Sequence, residues 1–400
     1  MAKRKLKIGI DIRAIGQQRT GDETYTLNLV RELLKNDKNN NYFLFTNTKK
    51  EESLKNIQKK IFRNKSAPSN VSVISVLPSC KLLWTFFALP LKLFQLRPDI
   101  LHVQYISPLI TPRKTKVITT IHDISFVRFP QFIDKKDLFF LKCLIPVSLK
   151  KACKVIGVSD FTRKEIVDYY KNVSDKTVAI YNGGPSSSFI ENFSRNSSRE
   201  ALKDNLKEFP YLFYVGTHQP RKNIPFLIKT FLKLKKEYSA ESDKIKNLKL
   251  CIGGKRGGKN YDEGIEKILK KIGSGKDEKF LRDIVFCDYI DESTLPVYYK
   301  NAECFVFPSL YEGFGLPLLE AMQAETPIVC SDIDCFREIA GEAAVYFNPG
   351  SNQDLSKKIA RVVKNSDNIR EYLTKKGKKR MQVFSWEKCA KETLKVYNNC

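Results

Sequence analysis

The chain has 400 residues, 42% of them apolar, which is more than one ordinary core takes and enough to fill two. Its net charge of +26 is uneven: residues 1–190 carry 33 Lys/Arg against 15 Asp/Glu, and residues 191–400 carry 37 against 29. This composition excludes a disordered chain. No run reaches the roughly 18–20 apolar residues of a membrane span.

In chain order, the apolar and β-branched runs KIGIDI, YFLFT, VSVISV, ILHVQY, KVITTI, KVIGVS and TVAIY alternate with helical stretches. A polar patch, ENFSRNSSREALKDN, interrupts them, and the pattern restarts with YLFYVG, KLCIGG, IVFCDYI, ECFVFPS, PIVCSDI and AAVYFNP. Near-continuous apolar strands separated by helices predict parallel sheets covered on both faces. Two such series predict an α/β protein of two doubly wound, Rossmann-like domains with ligand sites at the carboxyl ends of their strands. The expected division is residues 1–188, a linker over 189–207, and residues 208–380. A final helix, WEKCAKETLKVYNN, has Ser385 as its N-cap.

The ten Cys contain no Cys-x-x-Cys pair, and Cys251, Cys287, Cys304 and Cys330 fall inside apolar runs. That pattern predicts buried thiols in a reducing compartment, not disulfides or a zinc site. The N-terminus passes directly into a strand without an apolar signal core, so a cytoplasmic location is expected. The excess of cations attracts polyanions such as nucleic acid, anionic lipid or phosphorylated ligands. A Lys-rich composition with no partner behind it accounts for the charge as well. A nucleic-acid-binding protein is disfavoured, because no binding module and no basic stripe interleaved with aromatics is present.

The segment FVFPSLYEGFGLPLLEAM (305–322) reads as a strand, a glycine turn over Gly313, Phe314 and Gly315, and a helix opening at Leu316-Pro317. Such a turn presents free N–H groups and a positive dipole end to a phosphate or a sugar oxygen. Glu312 and Glu320 bracket it. In YVGTHQPRKNIPFLIKTF (214–231), Arg221 and Lys222 follow a strand and are placed to neutralise a diphosphate. In KLCIGGKRGG (249–258), Lys255 follows a strand and a Gly-Gly turn. Asp332-Ile-Asp334 has the spacing of a metal-binding Asp-x-Asp, but it follows a strand beyond the helix that bears Glu320, and a structural role is expected.

Taken in order, VGTHQPRKN, GGKRGG, LYEGFGLPLLEAM and SDIDCFREIAGEAAVYFNP resemble the glycosyltransferase group-1 family, retaining enzymes of the GT-B fold, and most closely its mannosyltransferase-like members. The resemblance implies two domains facing across a cleft that closes on substrates, with residues 381–400 crossing back to the first. It implies a nucleotide-sugar donor and retention of configuration. Glu320 would bind the ribose and Glu312 would face the transferred sugar. Arg221, Lys222 and the backbone of Gly313, Phe314, Gly315 and Leu316 would hold the diphosphate with Lys255, and Tyr289 would border the base. Neither cofactor nor metal is expected. The donor is GDP-mannose as first choice and a UDP-hexose as second. The acceptor would be a glycan or a lipid-linked saccharide in cell-surface polysaccharide synthesis.

TTIHDISF (119–126) resembles the family's segment that places a His, here His122, beside the transferred sugar. The opening loop Thr20-Gly21-Asp22-Glu23-Thr24-Tyr25-Thr26 departs from the family's Thr-Gly-x-Gly-Arg-Tyr-Thr: a Gly and an Arg are lost and two acids gained. Gly21 and Tyr25 are therefore assigned to an acceptor loop of altered character. His102 is open between core and site, and His218 is read as lining the basic loop. Two further departures are Asp288 and Glu325, each standing where the family has Gly. Alternatives are a nucleotide-sugar epimerase on the same fold and a non-catalytic partner subunit. The oligomeric state is open. The segment CKLLWTFFALPLKLFQLRP (80–98), broken by Pro90, is either packed on the sheet or laid on an anionic membrane surface.

Overall fold

The computed structural model describes residues 4–16, 20–195, 198–258 and 260–400. The chain forms two compact units. The first takes residues up to Arg128, then Lys135–Gly183 and Phe384–Cys400; the second takes Phe129–Asp134 and Gly184–Val383.

All thirteen predicted runs are strands. In the first unit they are β1 (Lys7–Asp11), β2 (Asn41–Thr46), β3 (Val71–Ser75), β4 (Ile100–Gln104), β5 (Lys116–Ile121), β6 (Lys154–Gly157) and β7 (Thr177–Ala179). They pair in parallel in the order β3-β2-β1-β4-β5-β6-β7. In the second unit β8 (Tyr211–Val215), β9 (Lys249–Gly253), β10 (Ile284–Asp288), β11 (Cys304–Phe307), β12 (Ile328–Ser331) and β13 (Val345–Phe347) pair in parallel as β10-β9-β8-β11-β12-β13. Each order reverses beside its first strand, and that switch point opens a crevice at the strands' carboxyl ends. β9 and β11 are buried along their whole length, as strands covered on both faces must be.

The helix Trp386–Asn398 completes the first unit. Ser385 caps it by accepting from the Lys388 N–H, and the helix packs along Gly21–Asn36. A Cβ at Gly183 would meet the Trp386 ring at 2.3 Å, so only glycine admits that ring.

Three expectations change. Residues 189–207, of which 196 and 197 lie outside the described residues, are no open tether: Phe189 and Leu206 are fully buried in the second unit. Pro90 does not break its segment. A π-helical turn at Trp84–Ala88 joins Lys81–Leu83 to Leu89–Leu96, and the Leu89 N–H reaches the Trp84 carbonyl. The wider turn shifts the hydrogen-bond register at the residue that has no N–H to give. Cys153 and Cys400 are joined as a disulfide. They lie 247 residues apart, a proximity created by the returning helix and absent from any local spacing. The other eight cysteines are free thiols, six of them buried.

Candidate functional site

In the second unit, β8 ends at Val215 and the chain turns through a 3₁₀ turn, Pro220–Lys222. Asn223 takes a left-handed φ of 59°, which Asn tolerates better than most residues, and starts the helix Ile224–Tyr238. The turn directs two cations onto one carboxylate. Arg221 Nη1 donates to Glu312 Oε2 and to the Tyr311 carbonyl, both at 3.1 Å, and Lys222 Nζ donates to Glu312 Oε1. The backbone is tied as well, with Leu310 N–H donating to the Arg221 carbonyl at 2.8 Å. Glu312 is 8% exposed. Burial by itself would raise its pKa, but Lys222 and Arg221 outweigh that and hold the carboxyl below its ordinary value. The sequence expectation set Glu312 toward the sugar and the cations toward the diphosphate. The structure binds all three together, leaving a cluster of one net positive charge.

Beyond Glu312 the backbone runs through Gly313 and Phe314 to Gly315, whose φ of +95° calls for glycine. Gly315 caps the helix Leu316–Gln323, with Pro317 in its first turn and Leu316 half-buried. The Phe314 side chain is buried, so what this residue offers outward is its backbone. Glu320 is 6% exposed and accepts from the Tyr299 hydroxyl at 2.9 Å. Tyr299 is a fixing partner that the motif does not announce.

Lys255 is exposed on the turn after β9. Its neighbour Arg256, which the sequence did not single out, pairs with Glu266 at 2.5 Å and lies 4.5 Å over the Phe286 ring. The turn is tight: Gly254 has a φ of +128°, and a Cβ there would meet the Gly216 carbonyl at 2.0 Å. Beside it His218 is buried at 3% exposure, its ring 6.3 Å from that of Tyr261 and 6.2 Å from that of Phe286. Burial lowers its pKa. A polar ring enclosed in this way was not legible in a loop that read as basic and solvated. Tyr289 is 47% exposed just past β10. Asp332 gives both carboxylate oxygens to Arg337, at 2.6 and 2.8 Å. Among the described residues no cluster of three or more His, Cys, Asp or Glu is placed to hold a metal.

In the first unit, His122 follows β5. Its Nε2 lies 2.8 Å from Gln104 Oε1 and 3.9 Å from Asp22 Oδ1, and its ring meets the edge of Tyr25 at 4.8 Å. Thr26 gives its proton to the Asp22 carbonyl at 2.7 Å and so accepts from Gln104 Nε2. That leaves Gln104 Oε1 as an acceptor and assigns the proton to His122 Nε2. Tyr25 is 2% exposed with its hydroxyl 3.0 Å from Thr120 Oγ1, so it supports the His122 ring from beneath rather than lining the loop's outer side. Gly21 sits at the start of the helix Gly21–Asn36, and a Cβ there would meet nothing within 4 Å. Of the two acids gained in this loop, Glu23 is structural: it accepts from the Gly16 N–H at 2.9 Å and pairs with Lys60 at 2.8 Å. His102 belongs to the core, between the Tyr397 hydroxyl at 2.6 Å and Thr120 at 2.7 Å, and burial pushes its pKa down to about 3. Ser159 caps the helix Asp160–Tyr169, and Arg163 pairs with Asp160 at 2.7 Å.

The chain is similar to known proteins. The family described as Glycosyl transferases group 1 matches residues 195–380, and Glycosyltransferase Family 4 matches residues 19–184. Among curated proteins, the O-antigen chain mannosyltransferase B of Escherichia coli is 31% identical over 285 residues, covering 71% of each chain. The chain belongs to the group 1 glycosyltransferases. The O-antigen chain mannosyltransferase RfbU of Salmonella typhimurium is 29% identical over 254 residues, which span 63% of this chain and 62% of that relative. Among solved structures, sucrose-phosphate synthase from Thermosynechococcus elongatus matches with a TM-score of 0.69 and 19% identity over 99% of both chains, a likeness of fold.

Within this glycosyltransferase, both Gly replacements noted in the sequence fall on left-handed backbone. Asp288 has a φ of 49° and Glu325 a φ of 57°. The backbone has kept the conformation that glycine adopts freely, and each side chain now carries the strain. For Glu325 an exposed ion pair with Lys378 at 2.8 Å accompanies it.

Proposed function

We propose that this glycosyltransferase is a retaining mannosyltransferase that uses a nucleotide-diphosphate donor, GDP-mannose first and a UDP-hexose second. The acceptor is a glycan or lipid-linked saccharide of a cell-surface polysaccharide, met on the cytoplasmic side. The observation that carries this reading is the buried Arg221–Glu312–Lys222 cluster directly before the Gly313–Leu316 turn, with Glu320 one and a half turns into the following helix. The two O-antigen relatives are mannosyltransferases, which favours mannose.

In this reading Glu320 takes the ribose hydroxyls. The cations and the N–H groups of Gly313 to Leu316 take the diphosphate, with Lys255 adding charge. Tyr289 borders the base. The bond from the sugar's anomeric carbon to the phosphate oxygen breaks, and its electron pair leaves with the nucleotide diphosphate. A new bond forms to the acceptor hydroxyl on the same face, and that hydroxyl's proton passes to the departing phosphate oxygen. Charge grows on the diphosphate, so cations already held in place stabilise the transition state more than the ground state. Glu312 holds Arg221 and Lys222 in that arrangement, and no divalent ion is required. His122 attends the transferred sugar, and the side-chain-free approach at Gly21 leaves room for the acceptor.

The test is a panel of GDP-mannose, UDP-glucose, UDP-galactose and UDP-N-acetylglucosamine, with membrane extracts as acceptor source, with and without chelator. Mannose transfer with retained anomeric configuration, undiminished by chelation, is expected. Nucleotide release without transfer to any acceptor would favour the epimerase, and inertness toward every donor would favour a partner subunit.

A further inference from the structure

β10 is the edge strand of the second unit's sheet, and β9 is its neighbour. Their register slips between Phe286 and Asp288, so Cys287 is the extra residue of a bulge. There its Sγ lies 3.2 Å from that of Cys251 on β9, and both are free thiols. They stand 36 residues apart, in two apolar runs that read only as separate buried strands.

The two sulfurs do not share one environment. Cys251 is fully buried, and burial pushes its thiol up, so it keeps its proton and donates to Cys287. Cys287 collects further donors. The helix Leu295–Lys300 brings the Tyr298 hydroxyl to it. That hydroxyl accepts from the Lys203 N–H at 3.3 Å, which leaves its own proton for the sulfur. The Lys203 ammonium donates to the Phe286 carbonyl at 2.6 Å, one residue from Cys287, and adds positive charge. Together these groups hold the Cys287 thiol below its ordinary value, the hydrogen bond from Cys251 contributing most and burial opposing. Cys304, fully buried on β11, is instead pushed up by burial to about 12. Cys287 is also the reachable member of the pair, 6% exposed on an edge strand, whereas Cys251 is fully enclosed.

We propose that Cys287 and Cys251 form a peroxide-oxidised thiol pair, in which Cys287 attacks the oxidant and Cys251 resolves the product as a disulfide. The Cys287 thiolate takes one oxygen of the peroxide; the O–O bond breaks, and hydroxide leaves and is protonated to water. The resulting sulfenic acid is attacked at sulfur by Cys251; the S–O bond breaks, and a second water carries away the Cys251 proton. Two thiols have then given two electrons to one hydrogen peroxide. A disulfide of about 2.05 Å needs the sulfurs to close by about 1.2 Å, a movement open to an edge strand already bulged at that residue. The bond would tie β9 to β10 directly before Asp288 and Tyr289.

The claim is independent of the glycosyl-transfer reading, because its readout involves no sugar. The full chain carrying Cys80→Ser and Cys143→Ser, and so lacking its exposed free thiols, is treated with hydrogen peroxide, unfolded in excess alkylating reagent and digested without reductant. Expected is a cross-linked peptide joining Cys251 to Cys287, lighter by two hydrogen atoms than the separate peptides and released by dithiothreitol, with Cys304 and Cys330 recovered alkylated. Single substitutions separate the roles. Cys251→Ser should leave a sulfenic acid on Cys287 that dimedone traps, and Cys287→Ser should leave Cys251 unmodified. Both are checked for the parent's thermal transition; Cys251→Ala and Cys287→Ala replace them if the serine variants unfold, and the cross-link itself needs neither. Absence of the cross-link in the folded chain, its formation only in urea, or oxidation of Cys304 and Cys330 to the same extent would overturn the proposal. So would dimedone trapped on Cys251 in Cys287→Ser.

Discussion

The two units share one architecture, yet they hold their conspicuous polar residues by different physics. In the second unit, buried charges are balanced against each other: Glu312 sits between Arg221 and Lys222, and Glu320 leans on a tyrosine hydroxyl. In the first, besides the ion pairs Asp11–Arg13 and Glu23–Lys60, the histidines at the strand ends sit in hydrogen-bond chains, His122–Gln104–Thr26 and Tyr397–His102–Thr120–Tyr25. A balanced ion cluster tolerates the arrival of another anion, because its cations are already desolvated and oriented. A chain of directional hydrogen bonds instead fixes the tautomer and angle of one ring. The doubly wound sheet provides the frame in both, and the loops decide which kind of chemistry the frame supports.

That contrast can be broken most directly at Glu312. Removing it in Glu312→Ala leaves Arg221 and Lys222 together and unbalanced, which costs about 3–5 kcal/mol for a buried pair. Urea unfolding should show that loss in the second unit's transition, while His122→Asn should leave the first unit's transition within about 1 kcal/mol. A loss under about 1 kcal/mol for Glu312→Ala would mean that water reaches the cluster and the distinction fails.

The same contrast predicts a binding effect at Glu320. Glu320→Ala should weaken nucleotide-sugar binding by roughly ten- to a hundred-fold, the about 1.5–3 kcal/mol of a charged hydrogen-bonding group, with the fold intact. Titration calorimetry reads it, and unchanged affinity would remove Glu320 from the donor site.

A neutral core histidine has a pH signature above the carboxylate range, where a carboxyl held low, such as Glu312, is still ionised in both states. The unfolded chain takes up a proton at His102 near pH 6.5, whereas the folded protein, through burial of the ring, does so only near pH 3. Between those values the unfolded state holds more protons, so stability falls as pH falls. The loss is about 1.4 kcal/mol per pH unit below 6.5, and the contribution is complete above it. Denaturation midpoints at pH 7 and pH 5 should therefore differ more in the parent than in His102→Gln. Equal pH dependence in both would exclude His102 as the cause.

The smallest effect is expected at a backbone position. Glu325→Gly relieves a left-handed residue at the end of the helix Leu316–Gln323 and should raise stability by up to about 1 kcal/mol, since the exposed pair with Lys378 contributes little. A drop in the thermal transition would show that the ion pair outweighs the strain.

How legible all this was depended on range. The strands were visible because apolar runs such as YLFYV and CFVF need no partner to declare themselves. Glu312 and Glu320 stood out because a glycine turn and a proline-started helix fix their spacing locally. Hidden were contacts made by sheet order: His102 with Tyr397, 295 residues away, Glu23 with Lys60, and Cys153 with Cys400. Pattern reading also assigned Tyr25 and His218 to polar loops by their neighbours, although packing put both inside.

The placement of Phe384–Cys400 in the first unit gives synthesis an unusual order of completion. As the chain leaves the ribosome, the first unit's seven strands emerge early, but Trp386 and Tyr397 emerge only after the second unit. The second unit, Gly184–Val383, has all six of its strands available before then and can close on its own contacts. The unit made first is therefore the one finished last, and it waits with an open seam along Gly21–Asn36. A chain ended between Val383 and Trp386 has one sound half and one unsealed half. Such a nascent chain invites chaperones, and a stop codon at Trp386 would be as damaging as a lesion in the core.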